Sequence, residues 1–148
     1  MRLLLFFVLN FGALYVGALL MNGSPATNEW YQQLDKAPWT PPGWFFGLAW
    51  TTIMICYSIY MNQLWKTAEN KKQLIFLYSV QWLLNVVWNP VFFAWHQTLL
   101  GCFVIFSLII ILLYKHKMFS SKAWITTLLL LPYVLWLCVA LSLNVYAV

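Results

Sequence analysis

The chain has 148 residues, 64% of them hydrophobic and only 7% charged, with a formal net charge of +5. A soluble domain carries about 25% charged residues; a soluble fold of this length has too little interior to hide so much apolar surface, so lipid must solvate much of it. The length accommodates one compact domain, residues 1–148, and the basic residues sit at the ends of apolar runs, not in a stripe interleaved with aromatics, which argues against a nucleic-acid partner.

Five apolar runs free of charge occupy residues 3–21, 43–65, 73–95, 98–114 and 123–147. Each has the roughly 17–25 residues that a helix needs to cross the hydrocarbon core. None contains any of the eight basic or three acidic residues. Backbone groups in lipid must be bonded within their own segment, so each run is expected to be a helix. The fold class is therefore all-α, a bundle of five transmembrane helices.

The first run follows Arg2 and ends near the small residues around Ser24. It exceeds the roughly 7–15 apolar residues of a signal peptide, and no small-x-small site follows, so it reads as a retained span. Within it Ala13-x-x-x-Gly17 is a spacing that lets helices approach closely. The connection at 22–42 contains most of "WYQQLDKAPWTPPGW". Pro38, Pro41 and Pro42 fix φ and stiffen it, while Trp30, Tyr31 and Trp39 present broad amphipathic rings. Two readings stand: a lid over a cavity, or an aromatic belt at the headgroups. Trp44, Trp65 and Trp124, at span ends, read as belt.

In the second run, "WFFGLAWTTIMICY" places Phe46, Trp50, Ile53 and Tyr57 at helical spacing. In the third, "QWLLNVVWNP" aligns Gln81, Asn85 and Asn89 with Trp88 and Phe92 on one side, and Pro90 removes a helical hydrogen bond. Three amides in hydrocarbon need partners, so this stripe faces other helices or a cavity; interhelical bonding and a ligand site weigh about equally. The fourth run carries no such pattern. In the fifth, "PYVLWLCVALSLN" repeats the spacing with Tyr133, Trp136, Ala140 and Leu143.

Arg2, Lys66, Lys71, Lys72, Lys115, Lys117 and Lys122 fall on one face of a five-span protein and Lys36 alone on the other. The positive-inside rule then predicts a cytoplasmic N-terminus, with the C-terminus and the 22–42 connection outside. At 1.5 Å per residue Trp50, Asn85 and Trp136 lie roughly 10–17 Å below the outer surface. Three helices thus bring an amide and two indoles to one level beneath the connection, as in a cavity that opens outward.

No ionisable residue lies in any predicted span, which argues against proton relays and ion-coupled pumping. His96 and His116 are on opposite faces, Glu29, Asp35 and Glu69 are in loops, and no HExxH, Walker or GxGxxG pattern occurs. Cys56, Cys102 and Cys138 share no metal-ligand spacing and read as small buried hydrophobes. No metal site and no required cofactor is expected. A large flat aromatic ligand fits what remains: rings to stack on it, apolar walls, and amides to orient its polar edges. Lys36 is the cation nearest the mouth for a carboxylate-bearing ligand.

These motifs resemble the translocator protein family, whose bacterial members are tryptophan-rich sensory proteins. "WYQQLDKAPWTPPGW" is similar to the family's first-loop signature, with Ala37 where a Pro is usual. "LAW", "QWLLNVVWNPVFF" and "LPYVLWLCVALSLN" are similar to the signatures of its second, third and fifth helices. The resemblance implies a five-helix bundle, often a homodimer; the expected location, a bacterial plasma (inner) membrane, follows from the short tails and the absence of an Arg/Ser-rich leader. It implies a receptor or sensor for tetrapyrroles such as protoporphyrin IX or haem-type molecules, also open to benzodiazepine-site drugs. The implied ligand positions are Trp30, Tyr31, Trp50, Asn85, Trp88, Trp136 and Ala140. The helical stripes add Phe46, Tyr57, Gln81, Asn89, Tyr133 and Leu143, and the stiffened connection adds Pro41. Two alternatives accompany this reading: a light- and oxygen-dependent porphyrin-degrading enzyme using Trp50 and Trp136, and a porphyrin or sterol transporter. The animal cholesterol motif needs a basic residue after the C-terminal Tyr, and Tyr146 is followed only by Ala147 and Val148.

Overall fold

A computed structural model describes residues 1–21, 23–120 and 123–148. Its helices are α1 (Arg2–Leu20), α2 (Glu29–Gln33), α3 (Gly43–Thr67), α4 (Lys71–Asn89), α5 (Thr98–Phe119) and α6 (Trp124–Tyr146), with a π-helical turn, Pro90–Ala94, continuing α4. Five of these segments are long and apolar enough to span a membrane, and among the described residues there is no strand. The chain is a multi-pass helical membrane protein. Its spanning helices close into a ring in which α1 touches α3 and α4, α4 touches α5, α5 touches α6, and α6 returns to α3.

α1 buries one stripe, Phe6, Asn10, Ala13 and Gly17, and exposes most of the rest to lipid. The Ala13-x-x-x-Gly17 spacing serves the protomer itself. A Cβ on Gly17 would lie 2.4 Å from Asn89 Nδ2, so only glycine lets α1 come this close to α4. Asn89 is held there for a reason that starts at Pro90. Proline cannot donate to the carbonyl of Val86, and Asn89 Nδ2 reaches that oxygen at 3.5 Å and the carbonyl of Asn85 at 3.2 Å. The helix then widens into the π turn, closed by Trp95 N–H to the Pro90 carbonyl at 2.8 Å, and ends at His96 in the left-handed region with φ 56°.

The structure corrects the expectation that every charge lies outside the spans. α5 continues to Phe119, and Lys115 within it is 0% exposed. It is a buried lysine in the packed half of the bundle and not a headgroup lysine. Its Nζ donates to the Tyr57 hydroxyl and lies 5.6 Å from the centre of the Tyr78 ring. Asn22, which opens the 22–42 connection, and Lys122, one of the basic residues counted toward orientation, fall outside the described residues.

The half of the bundle around Lys115 is packed solid with tyrosine. Tyr57, Tyr60 and Tyr133 are fully buried, and Tyr57 packs edge-on against Tyr133 at 5.1 Å. A second polar cluster ties α1, α3 and α4 together. Tyr78 donates to Asn10 Oδ1 at 2.7 Å, Asn10 Nδ2 to Ser58 Oγ at 2.9 Å, and Ser58 to the Met54 carbonyl at 2.7 Å. The three cysteines are free: Cys56 and Cys102 are half-buried and Cys138 is exposed, so the buried reading fails for Cys138.

Gly17→Ala is expected to push Asn89 off its two carbonyls and to cost about 1–3 kcal/mol, the usual range for overpacking. It should lower the apparent Tm in detergent, whereas Gly12→Ala, whose Cβ would meet nothing within 4 Å, should not. Equal Tm values for the two variants would contradict the proposed α1–α4 contact.

Candidate ligand-binding cavity

A cavity of about 620 Å³ occupies the half of the bundle that carries the 23–42 connection. α3 contributes Phe46 and Trp50, α4 contributes Asn85, Trp88 and Asn89, and α6 contributes Trp136 and Ala140. Their helical spacing turns these side chains inward at one level. Trp136 is braced by Phe45, tilted against it at 5.8 Å, and edge-on by Phe46 at 5.3 Å, and Trp50 by Tyr133 at 6.0 Å. A smaller void of about 10 Å³ continues from Trp50, Asn85 and Trp88 toward α5. Beside Gly101 on that helix, Trp88 Nε1 is buried and has no hydrogen-bond partner among the described residues.

The remaining predicted site residues lie elsewhere. Tyr57, Gln81 and Tyr133 form the floor beneath the cavity, joined in a chain of hydrogen bonds. Tyr57 donates to Gln81 Oε1 at 2.9 Å, Gln81 Nε2 to the Tyr133 hydroxyl at 3.0 Å, and Tyr133 to Asn85 Oδ1 at 3.0 Å. Pro41 and Leu143 are half-buried and do not line the cavity.

Trp30 and Tyr31 are also absent from the lining. They pack as an outer layer on the π turn: Trp30 against Phe92 at 5.3 Å and stacked on His96 at 4.4 Å, Tyr31 against Phe93 at 5.3 Å. Phe92 in turn stacks on the cavity residue Trp88 at 5.6 Å. Burial pushes the Tyr31 phenol above its ordinary pKa. At the other end of the connection Trp39 donates through Nε1 to Ser142 Oγ of α6 at 3.1 Å. The aromatic, proline-rich connection is thus pinned at both ends across the top of the bundle.

The segment that meets the cavity is the one before it, Gly23 to Ala26. Gly23 has φ 108°, a conformation that side chains resist, and it turns the chain back after α1. Asn28 then locks this turn. Its Nδ2 donates to the carbonyls of Met21 at 3.3 Å and Phe93 at 3.1 Å, and its Oδ1 caps α2 at Tyr31 N–H, 2.9 Å away. Lys36 does not line the mouth; its Nζ bonds the Gln32 carbonyl at 3.3 Å and lies 4.9 Å from the centre of the Tyr31 ring.

Sequence reasoning missed the wall that α1 supplies: Leu14, Tyr15, Ala18, Leu19 and Met21. In a run that is apolar all round, the cavity side and the lipid side have the same chemistry, and Tyr15 alone marks the position. Tyr15 and Leu19 are exposed, as are Gly43 and Gly47 across from them on α3. The opening therefore extends sideways between α1 and α3, and the expectation of a cavity open only outward does not hold. No charged side chain lines it, and no group of metal-ligating residues occurs among the described residues.

Residues 4–148 match the sequence profile of the TspO/MBR family. The chain is 36% identical to "Protein CrtK" of Rhodobacter capsulatus over 78% of this chain and 74% of that protein. It is 30% identical to the "Tryptophan-rich sensory protein" of Cereibacter sphaeroides, covering 89% and 87% of the two chains. It is 29% identical to the human "Translocator protein", covering 88% and 78%.

Trp30→Ala removes the anchor of the connection without touching the cavity wall. Since an aromatic pair contributes about 0.5–1.5 kcal/mol, amide exchange over residues 28–34 is expected to rise severalfold. Exchange in α3 to α6 should stay unchanged, as read by hydrogen–deuterium mass spectrometry.

Proposed function

This chain belongs to the TspO/MBR family, and we propose that it is a membrane receptor or sensor that binds a flat tetrapyrrole, of the protoporphyrin IX or haem type, in the indole-walled cavity. The observation that carries this reading is the cavity itself: about 620 Å³, walled by Trp50, Trp88, Trp136 and Phe46, with Asn85 and Asn89 as its amides. Small-molecule sites commonly hold about 300–1,000 Å³ and pair apolar walls with a few placed polar groups. Flat rings gain from offset stacking and edge contacts with indoles, and synthetic aromatic drugs would meet the same walls. A sensory role agrees with the name of the Cereibacter sphaeroides relative, "Tryptophan-rich sensory protein".

Binding is tested by titrating purified protein with protoporphyrin IX in the dark while following tryptophan fluorescence. Replacing both Trp50 and Trp136 by Ala is expected to weaken binding by about tenfold or more, the sum of two lost aromatic contacts and their burial. Undiminished affinity in a folded double variant would remove the proposed site.

A second reading rests on one observation: Trp50 and Trp136 line the same cavity, so both indoles would lie close to a bound macrocycle. Under light and oxygen these rings are oxidisable partners for the excited porphyrin, and the wild-type protein is expected to convert protoporphyrin IX to a product that the double variant does not form. Product chromatography after illumination checks this, and equal porphyrin loss with both proteins would leave the receptor reading alone.

A further inference from the structure

Lys115 takes no part in the cavity, yet it is a buried lysine in a span that contains no carboxylate to pair with it. Its chemistry constrains everything bonded to it in series. Lys115 Nζ donates to the Tyr57 oxygen, and the Tyr57 proton goes to Gln81 Oε1. Gln81 therefore turns its oxygen to Tyr57 and its nitrogen to Tyr133. The Tyr133 oxygen is filled in the same way, and its proton goes to Asn85 Oδ1. Four hydrogen bonds thus point in one direction, from the packed half of the bundle to the cavity wall. The last amide has one orientation left. Asn85 Oδ1 faces the floor, and its Nδ2 is the atom left over for the cavity that Asn85 lines. Tyr78, the other phenol near Lys115, is committed to Asn10 and offers no alternative route.

We propose that Lys115 is a positioning residue that sets the polarity of the ligand site, holding Asn85 as a hydrogen-bond donor and so selecting flat ligands that bear an acceptor edge. The inference rests on the cavity being a ligand site. With Met at position 115 the head of the chain no longer donates, and its thioether sulfur can accept the Tyr57 proton, so the chain can reverse: Asn85 Nδ2 would then donate to Tyr133, Tyr133 to Gln81 Oε1, and Gln81 to Tyr57. Asn85 would present its oxygen instead. Asn89 is oriented independently by the two carbonyls it bonds, so it does not follow this switch.

Three near-isosteric tricyclic probes read the polarity directly: fluorenone, which only accepts, carbazole, which only donates, and fluorene, which does neither. Affinities are measured on the full-length protein in detergent or nanodiscs by tryptophan quenching. Wild type is expected to favour fluorenone over carbazole by about fivefold, the factor that corresponds to one net hydrogen bond. K115M removes the donor at the head of the chain, and Q81L cuts the chain in the middle while leaving Lys115 on Tyr57. Either variant should bring the ratio toward one while fluorene binds within about twofold of wild type, a pattern that a mere packing defect does not produce. The proposal is overturned by a wild-type ratio of one, or by a ratio that stays at its wild-type value in whichever variant folds. Failure of wild type to bind protoporphyrin IX would count against the receptor reading alone, because these probes do not depend on it.

Discussion

Hydrocarbon offers no hydrogen bonds, so a polar atom inside this bundle is costly unless it finds a partner on another helix or on its own backbone, and among the described residues Trp88 Nε1 is the buried side-chain atom without one. That requirement organises the interior. Asn10, Ser58 and Tyr78 answer one another across α1, α3 and α4, and Tyr57, Gln81, Tyr133 and Asn85 do so across α3, α4 and α6. Single interhelical bonds in membranes are worth only about 0.6 kcal/mol on average. Their effect lies less in their sum than in registration: sliding one helix by a turn would break several at once, and each orphaned group would then sit in lipid. Lys115 raises the stakes, since a buried amine without its hydroxyl partner is among the costlier groups to strand.

The same bookkeeping explains why one half of the bundle is solid and the other hollow. Around Lys115 tyrosines fill the space and their hydroxyls are consumed by the polar clusters. Toward the connection the large side chains are indoles, braced edge-on by neighbouring rings, while Gly43 and Gly47 leave α3 bare opposite α1. Indole carries one donor and much apolar area, so it can wall an empty volume without leaving many polar atoms unpaired. The connection holds this hollow half in shape from outside, through Trp30 and Tyr31 on the π turn and Trp39 on α6.

Helix number and approximate limits were legible because length and absence of charge are the membrane's own criteria for a span. The stripes on α3, α4 and α6 were legible because amides and indoles stand out against Leu and Ile; the structure places Phe46, Trp50, Asn85, Trp88, Asn89, Trp136 and Ala140 around one cavity. Lys115 was not. Next to His116 and Lys117 it reads as one more headgroup lysine, and the hydroxyl that takes it into the core lies 58 residues earlier. The α1 wall was invisible for the opposite reason, since Leu and Ala serve lipid and cavity equally. The connection was recognisably special, but its aromatic residues brace the π turn, and the contact with the cavity falls to the plainer Gly23–Ala26 segment. Asn10 shows a simpler limit: a lone amide in an apolar run gives no hint of which helix will satisfy it.

The wide turn at Pro90–Ala94 has a consequence for the chain that follows it. A π turn accommodates one residue more than an α turn, and each residue advances a helix by about 100°. Phe93 stays on the cavity side with Asn85 and Trp88 and Phe92 stacks on Trp88, and from there the two rings meet Tyr31 and Trp30. In effect the turn works as a gear tooth inserted between the cavity wall and its outer brace. A chain lacking a single residue there would keep its composition and hydropathy almost unaltered, yet the brace would be rotated off its footing.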